Sequence, residues 1–377
     1  MAQKNVGLEV VAITSPFQVS NGSQEEIDGI IYLRTSQNQR ESISDLRKSF
    51  SERAFRFFKI FRFYFQLKEA IKSQKPDILH AHAMFFCGLP AIFLGKRFGL
   101  PVIYEVRSLW MLKKKGRKGL FELIVEKTLF KIEVFVMRKA RCVIAINESL
   151  KIELKKKINP NKIIVINNAV NIELVKSLKN KTFDTKSVEH GKRFGYIGTL
   201  TPHEGIDMLI DAFISINTTY PGARLSIFGD GIEAKNIQNI SDKIENVKFH
   251  GKVHPNQIHK AFDTIDIIVN PRYKNKLTDS VTPLKPLEAM AYDKIVIGSD
   301  VGGIKELITN EYNGFLFKAG DKADLVATMD SVLKLEDRKK KEILKNAQLY
   351  VLQEKSWAAN ALAYKVLYEK VSSDIGY

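Results

Sequence analysis

The chain has 377 residues, 45% hydrophobic and 27% charged, an ordinary globular balance whose length suits two domains rather than one. It contains no run of about 18 apolar residues and no basic-then-apolar leader pattern, which excludes a membrane-spanning helix and a signal peptide from the expected elements. The formal net charge of +17 is lopsided: residues 1–180 carry 32 Lys+Arg against 16 Asp+Glu, and the remainder 27 against 26.

In chain order, residues 2–5 read as a helical turn running straight into a strand over residues 8–14. Residues 47–72 (RKSFSERAFRFFKIFRFYFQLKEAIK) place Phe50, Phe57, Phe61 and Phe65 near helical spacing, with Arg47, Lys48, Arg53, Arg56, Lys59 and Arg62 between them. One aromatic stripe is what a core-facing helix shows. Yet Phe55, Phe58, Phe63 and Tyr64 put further rings outside that stripe, and a basic helix with excess aromatic surface suits an anionic membrane interface. A second basic cluster follows at residues 113–118 (KKKGRK). Nucleic acid is the competing partner for such charge, but no nucleic-acid-binding motif accompanies it, so none is expected.

Strands are predicted at residues 76–82 (PDILHAH), 101–104, 142–146 and 163–166, with helices over 88–98 and 121–139. Each strand stops at a polar cluster: His80 and His82, then Glu105 and Arg107, then Asn147 to Ser149, then Asn167 and Asn168. In an open parallel sheet such strand ends face one crevice. For the two histidines, simple satisfaction by backbone at a strand end is the competing reading. Cys87 and Cys142 lie far apart in apolar contexts without metal-ligand spacing, and buried free thiols are expected. The polar stretch KSLKNKTFDTKSVEHGK and the charge step place a domain boundary near residues 171–189.

Beyond it, residues 194–213 (FGYIGTLTPHEGIDMLIDAF) read as a buried strand, a turn at Gly198, a loop and an amphipathic helix. Residues 225–231 (LSIFGDG) and 247–254 (VKFHGKVH) are further strands with glycine exits. Residues 279–308 (DSVTPLKPLEAMAYDKIVIGSDVGGIKELI) open as a loop held out of helix by Pro283 and Pro286, and continue as a short helix over 287–292 carrying Glu288. A β-branched run at residues 295–297, Gly302 and Gly303, and a helix from Ile304 follow. A lone acid at an apolar helix start is costly to bury without a partner, although it also complements the amide dipoles there.

The order and spacing of these blocks resemble the carboxyl-terminal domain of the retaining family 4 glycosyltransferases, the "glycosyl transferases group 1" class of GT-B fold. The resemblance implies an α/β chain of two Rossmann-like parallel-sheet domains facing a crevice: residues 1–178 on the acceptor side, 179–355 binding a nucleotide-sugar, and 356–377 as a helix packing back on the first. It implies that the acid of the EAMA helix, Glu288, holds the ribose hydroxyls. The implied donor set is Gly198, Thr199, Gly229, His254, Arg272, Pro283, Leu284, Lys285 and Glu288. The implied catalytic set is His82, which matches a family histidine near the donor sugar, with Glu105 and Arg107. YEVRSLW, HEGID and VTPLKPLEAMA together resemble a branch associated with exosortase-type exopolysaccharide systems. No metal or other cofactor is implied.

Three departures from the family pattern stand out. An arginine and a lysine that reach the diphosphate in many members are replaced by Thr199 and Glu204. Arg272 and Lys285 are the replacement cations expected to contact phosphate. The acid eight residues before Glu288 is absent, with Ser280 in its place and Asp279 beside it. The family's first strand and its glycine loop are not found before residue 2: the expectation is either a chain that begins late or a form lacking an inner strand, and the latter would leave neighbouring backbone groups unpaired. The expectation is a retaining transferase, cytoplasmic and peripheral on the inner membrane face, moving sugar from a nucleotide-sugar to a glycan, lipid-linked in character. The alternative is a nucleotide-sugar-binding protein that lost its chemistry with the first strand.

Overall fold

The computed structural model describes residues 2–15, 23–35, 50–82, 84–107, 120–173, 175 and 192–373, without the side chains of residues 50–58 and 120–122. The expected basic cluster at residues 113–118, Arg47, Lys48, and the linker at residues 176–191 lie outside the described residues. The chain divides into two units: Met1–Ile166 with Ala361–Tyr377, and Asn167–Asn360. Residues 167–173, 175 and 356–360 therefore fall in the second unit.

In the first unit, β1 (Val11–Ile13), β2 (Gln24–Ile27) and β3 (Ile30–Leu33) form a small sheet of order β1-β3-β2. The main sheet is β4 (Leu79–His82), β5 (Val102–Val106), β6 (Cys142–Ala145) and β7 (Ile163–Val165), in that order and parallel throughout. Among the described residues no strand pairs with β4 on the side away from β5. Parallel strands need cover on both faces, hence their nearly unbroken apolar runs. One face packs on the helices Phe50–Gln74, Phe85–Phe98 and Leu120–Lys139 through Phe63, Leu67, Leu94, Tyr104, Val136 and Met137. On the other, Ile103, Cys142, Ile144 and Ile166 meet Leu367 and Val371 of the C-terminal helix, Trp357–Ser373.

The helix Phe50–Gln74 corrects the expected phase of its aromatic residues. Phe63, Leu67 and Ile71, spaced four apart, form the buried stripe. Phe61 and Phe65, from the stripe that matches a core pattern, are 61% and 46% exposed and pack edge to face on one another. With phenylalanines on both sides of the helix, spacing alone could not set which side turned inward.

The second unit holds one six-stranded parallel sheet: β8 (Arg193–Thr199), β9 (Arg224–Asp230), β10 (Val247–Gly251), β11 (Ile267–Asn270), β12 (Ile295–Ser299) and β13 (Phe315–Phe317). Its order, β10-β9-β8-β11-β12-β13, reverses direction between β8 and β11. That is a topological switch point, where open parallel sheets leave a crevice beyond the strand carboxyl ends. Two apolar layers cover the sheet, one around Phe194, Phe213, Leu225 and Phe317, the other around Ile268, Leu287, Val296 and Ile304.

One local expectation needs correction. Residues 276–280 form a short helix, Lys276–Ser280, not a loop. Asn275 caps it: Oδ1 accepts from the Leu277 and Thr278 amides, and Thr278 Oγ1 accepts from the Asn275 amide. Pro283 separates it from the next helix, Lys285–Ala291, which has Pro286 in its first turn.

Candidate functional site

A cavity of about 620 Å³ opens at the switch point of the second unit. Its floor is made by strand ends: Gly198 and Thr199 of β8, Gly229 and Asp230 of β9, Asn270 of β11. Two glycines let the backbone come close enough. Gly229 adopts φ +154°, and a Cβ there would stand 1.9 Å from the Gly198 carbonyl oxygen. Gly205, at φ +71°, starts the helix Ile206–Thr219, and its Cβ would meet the Pro271 carbonyl oxygen at 2.1 Å. No L side chain fits either position without displacing backbone. The walls are Lys252, Val253, Pro255 and Ile258 on one side, and Pro283, Leu284, Lys285, Glu288 and Tyr292 on the other.

Four of the charged residues that line it stand in two pairs. Arg272 Nε donates to Glu204 Oε2 at 3.0 Å and Nη2 to Oε1 at 2.9 Å, while Nη1 donates to the Val281 carbonyl at 3.1 Å. The two side chains are 12% and 8% exposed, so this is a buried, two-pronged ion pair joining the loops that follow β8 and β11. Three of the five guanidinium N–H donors are engaged by these bonds. Glu204 therefore does not stand as a lone anion in the cavity wall; it holds Arg272 in place. Lys285 Nζ lies 2.5 Å from Glu288 Oε2, one helical turn away. Asp279 does not turn to the cavity: its Oδ1 accepts from the Gly302 amide at 3.0 Å.

Eight of the nine expected donor-site residues line this cavity: Gly198, Thr199, Gly229, Arg272, Pro283, Leu284, Lys285 and Glu288. His254 does not; its Nδ1 accepts from the Asn256 amide, capping a short 3-10 turn, and its neighbours Val253 and Pro255 supply the wall. Sequence reasoning missed Asn270, whose buried Nδ2 has no hydrogen-bond partner. A buried amide in the floor of a cavity, unsatisfied by protein, is an available donor for a ligand. Its only mark in the sequence was a polar residue closing the run IIVN.

The first unit gathers a second polar cluster, His82, Glu105 and Arg107. The β4–β5 register sets His82 directly beside Glu105. Glu105 is 3% exposed; Arg107 Nε donates to its Oε1 at 2.9 Å and the Tyr364 hydroxyl to its Oε2 at 2.6 Å. Burial alone would raise its pKa, but the histidines His80 and His82 outweigh that and hold the carboxyl well below the usual carboxylate range. His80 is pushed down from its ordinary value, chiefly by burial, and its Nδ1 is 2.7 Å from the Tyr368 hydroxyl. Tyr364 and Tyr368, one helical turn apart on the C-terminal helix, thus brace the cluster; nothing in sequence pattern tied them to strands so distant along the chain.

Residues 178–350 match the family described as Glycosyl transferases group 1, and residues 24–174 match Glycosyltransferase Family 4. An uncharacterized glycosyltransferase of Methanocaldococcus jannaschii is 24% identical over 316 residues, 81% of this chain and 78% of that protein. Among solved structures, sucrose-phosphate synthase from Thermosynechococcus elongatus superposes with a TM-score of 0.76 at 18% identity, covering 99% of this chain and 91% of that one. Anabaena HepE in complex with UDP gives 0.64 at 18% identity, covering 81% of each chain. At such identity these two likenesses are of fold.

Proposed function

This chain belongs to the glycosyltransferases of the GT-B fold, and we propose that it is a retaining enzyme transferring sugar from a nucleoside-diphosphate sugar to a lipid-linked glycan during surface or exopolysaccharide synthesis. The observation that carries the reading is the switch-point cavity with Glu288 in its wall, flanked by Lys285 and by the Arg272–Glu204 pair. Glu288 offers the ribose hydroxyls a carboxylate acceptor. A bound ribose takes over the oxygen that Lys285 covers, and Lys285 turns to the diphosphate. Arg272, oriented by Glu204, supplies its remaining N–H groups to the same phosphates. Asn270 Nδ2 gives one further donor.

Transfer with retention places the acceptor hydroxyl on the face that the nucleoside diphosphate leaves. The acceptor oxygen bonds to the anomeric carbon as the carbon–phosphate oxygen bond breaks, and a leaving phosphate oxygen takes the proton. The protein's contribution is then positioning and charge stabilisation, with no dedicated base and no metal in the step. His82, Glu105 and Arg107 are the proposed reaction-side residues of the first unit. Peripheral placement on the inner face of the membrane rests on the charge of residues 1–180 and on the exposed rings of Phe61 and Phe65. Among the described residues no helix is long and apolar enough to cross a membrane.

The test is a transfer assay with a panel of nucleotide-sugars and a membrane lipid extract as acceptor. Release of nucleoside diphosphate, with product whose anomeric configuration by NMR equals the donor's, is expected. An inverted product removes the retaining assignment. Tight nucleotide binding without release for any donor favours the alternative, a binding protein without transfer.

A further inference from the structure

We propose that His80, His82 and Glu105 form a binding site for a divalent transition ion of the zinc class, on the face of the first unit's sheet that the C-terminal helix covers. Alternation along β4 puts both histidines on one face, and the strand register places Glu105 beside His82 on that face. His80 Nε2 lies 3.5 Å from Glu105 Oε2 and His82 Nδ1 lies 3.3 Å from Oε1. A tetrahedral ion with bonds of about 2.0–2.2 Å has ligand-to-ligand edges of about 3.3–3.6 Å. Each histidine stands at such a distance from a different oxygen of Glu105, which suits an ion held by both carboxylate oxygens. The three ligand atoms all fall within 4.8 Å of one another; the His80 and His82 rings are stacked at 4.2 Å, so the half-exposed His82 ring turns out of that stack to close the third edge.

Two further features separate this cluster from an ordinary buried ion pair. His80 Nε2 is buried, and its one polar neighbour, Glu105 Oε2 at 3.5 Å, stands at the far limit of hydrogen-bond reach. Its opposite nitrogen is engaged by the Tyr368 hydroxyl at 2.7 Å, and the Tyr364 hydroxyl donates to Glu105 Oε2 at 2.6 Å. Outer contacts of this kind fix the orientation of a ligating imidazole and carboxylate. Arg107 stands on the open side: Nε contacts Glu105 Oε1 at 2.9 Å, Nη2 lies 3.4 Å from His82 Nδ1, and the side chain is 61% exposed. Its guanidinium holds the place a cation would take and can withdraw into water, so ion and arginine compete. A bound ion would also withhold His82 from any sugar.

The experiment is titration of the chelator-stripped full chain with Co²⁺, followed by its visible absorption, and with Zn²⁺ in competition with a chromophoric chelator. One ion per chain is expected. His80→Ala and His82→Ala each weaken binding by roughly tenfold to a hundredfold, Tyr368→Phe by about tenfold or less, and Arg107→Ala strengthens it. His82 is half exposed, so His82→Ala carries the test even where His80→Ala does not fold. No stoichiometric binding by either the wild type or Arg107→Ala overturns the site, as does binding indifferent to His82→Ala. The readout is metal binding, so the site and the glycosyl-transfer reading fail separately.

Discussion

Glu204→Gln and Arg272→Ala should act in opposite directions on diphosphate binding, because each leaves the other partner of a buried pair exposed to its own charge. With Glu204 made neutral, Arg272 remains in the cavity wall without compensation. Breaking a buried pair in this way costs about 3–5 kcal/mol of stability, and the amide, which keeps one of the two hydrogen bonds, falls at the low end. The liberated positive charge then has no carboxylate to serve except phosphate. A charge-assisted bond is worth about 1.5–3 kcal/mol, so UDP should bind roughly tenfold or more tightly to Glu204→Gln while uridine binds as before. Arg272→Ala instead leaves Glu204 as an unpaired anion beside the phosphates, and the ratio of UDP to uridine affinity should collapse by a similar factor. Calorimetry with uridine and UDP on both variants and on the double variant, with urea unfolding in parallel, closes the cycle. A ratio unchanged in Arg272→Ala would mean the guanidinium never meets phosphate, and the reasoning about Glu204 and Thr199 would fall with it.

Lys285→Ala should weaken UDP far more than uridine, while Thr199→Ala changes the ratio less; equal losses for both ligands would detach Lys285 from phosphate. Gly205→Ala, at φ +71° with the Pro271 carbonyl in the way, should lower the urea midpoint by an amount equivalent to about 1–3 kcal/mol or more, and an unchanged midpoint contradicts the tight approach. Burial pushes the Cys87 thiol up to about 12 and that of Cys142 up to about 11, so both should resist alkylation at pH 8 until the chain unfolds. Rapid labelling of the native protein refutes that placement. Binding to anionic vesicles should fall with salt without vanishing, and replacing Phe61 and Phe65 together by Ser should remove the salt-resistant part with circular dichroism unchanged. A wild type that ignores such vesicles at low salt leaves the exposed rings without a membrane role.

The parallel strands were legible because their signal is local: β-branched runs such as IIVN and IVIGS, each closed by glycine or a polar residue, recur at the spacing of βα units. The cavity wall from Pro283 to Glu288 was legible for the same reason, being one short segment. What escaped was pairing across distance. Glu204 and Arg272 are 68 residues apart, and nothing in either segment says that the acid belongs to the arginine. Tyr364 and Glu105 are separated by 259 residues. The facing of Phe61 and Phe63 escaped for another reason: a helix with rings on every side has no apolar phase to read, and the sheet it packs on decides which ring is buried. His254 was placed by the resemblance alone, which is blind to a side chain that turns back to cap its own turn.

The most direct test of the account is UDP binding to Glu288→Gln. The substitution keeps the shape of the side chain and removes the charge that the ribose hydroxyls would meet. Calorimetry on a variant with wild-type circular dichroism should show affinity lower by roughly tenfold to a hundredfold, the loss of about 1.5–3 kcal/mol of charge-assisted hydrogen bonding. Wild-type affinity in the folded variant would place the nucleotide away from Glu288 and contradict the assignment of this cavity to the sugar donor.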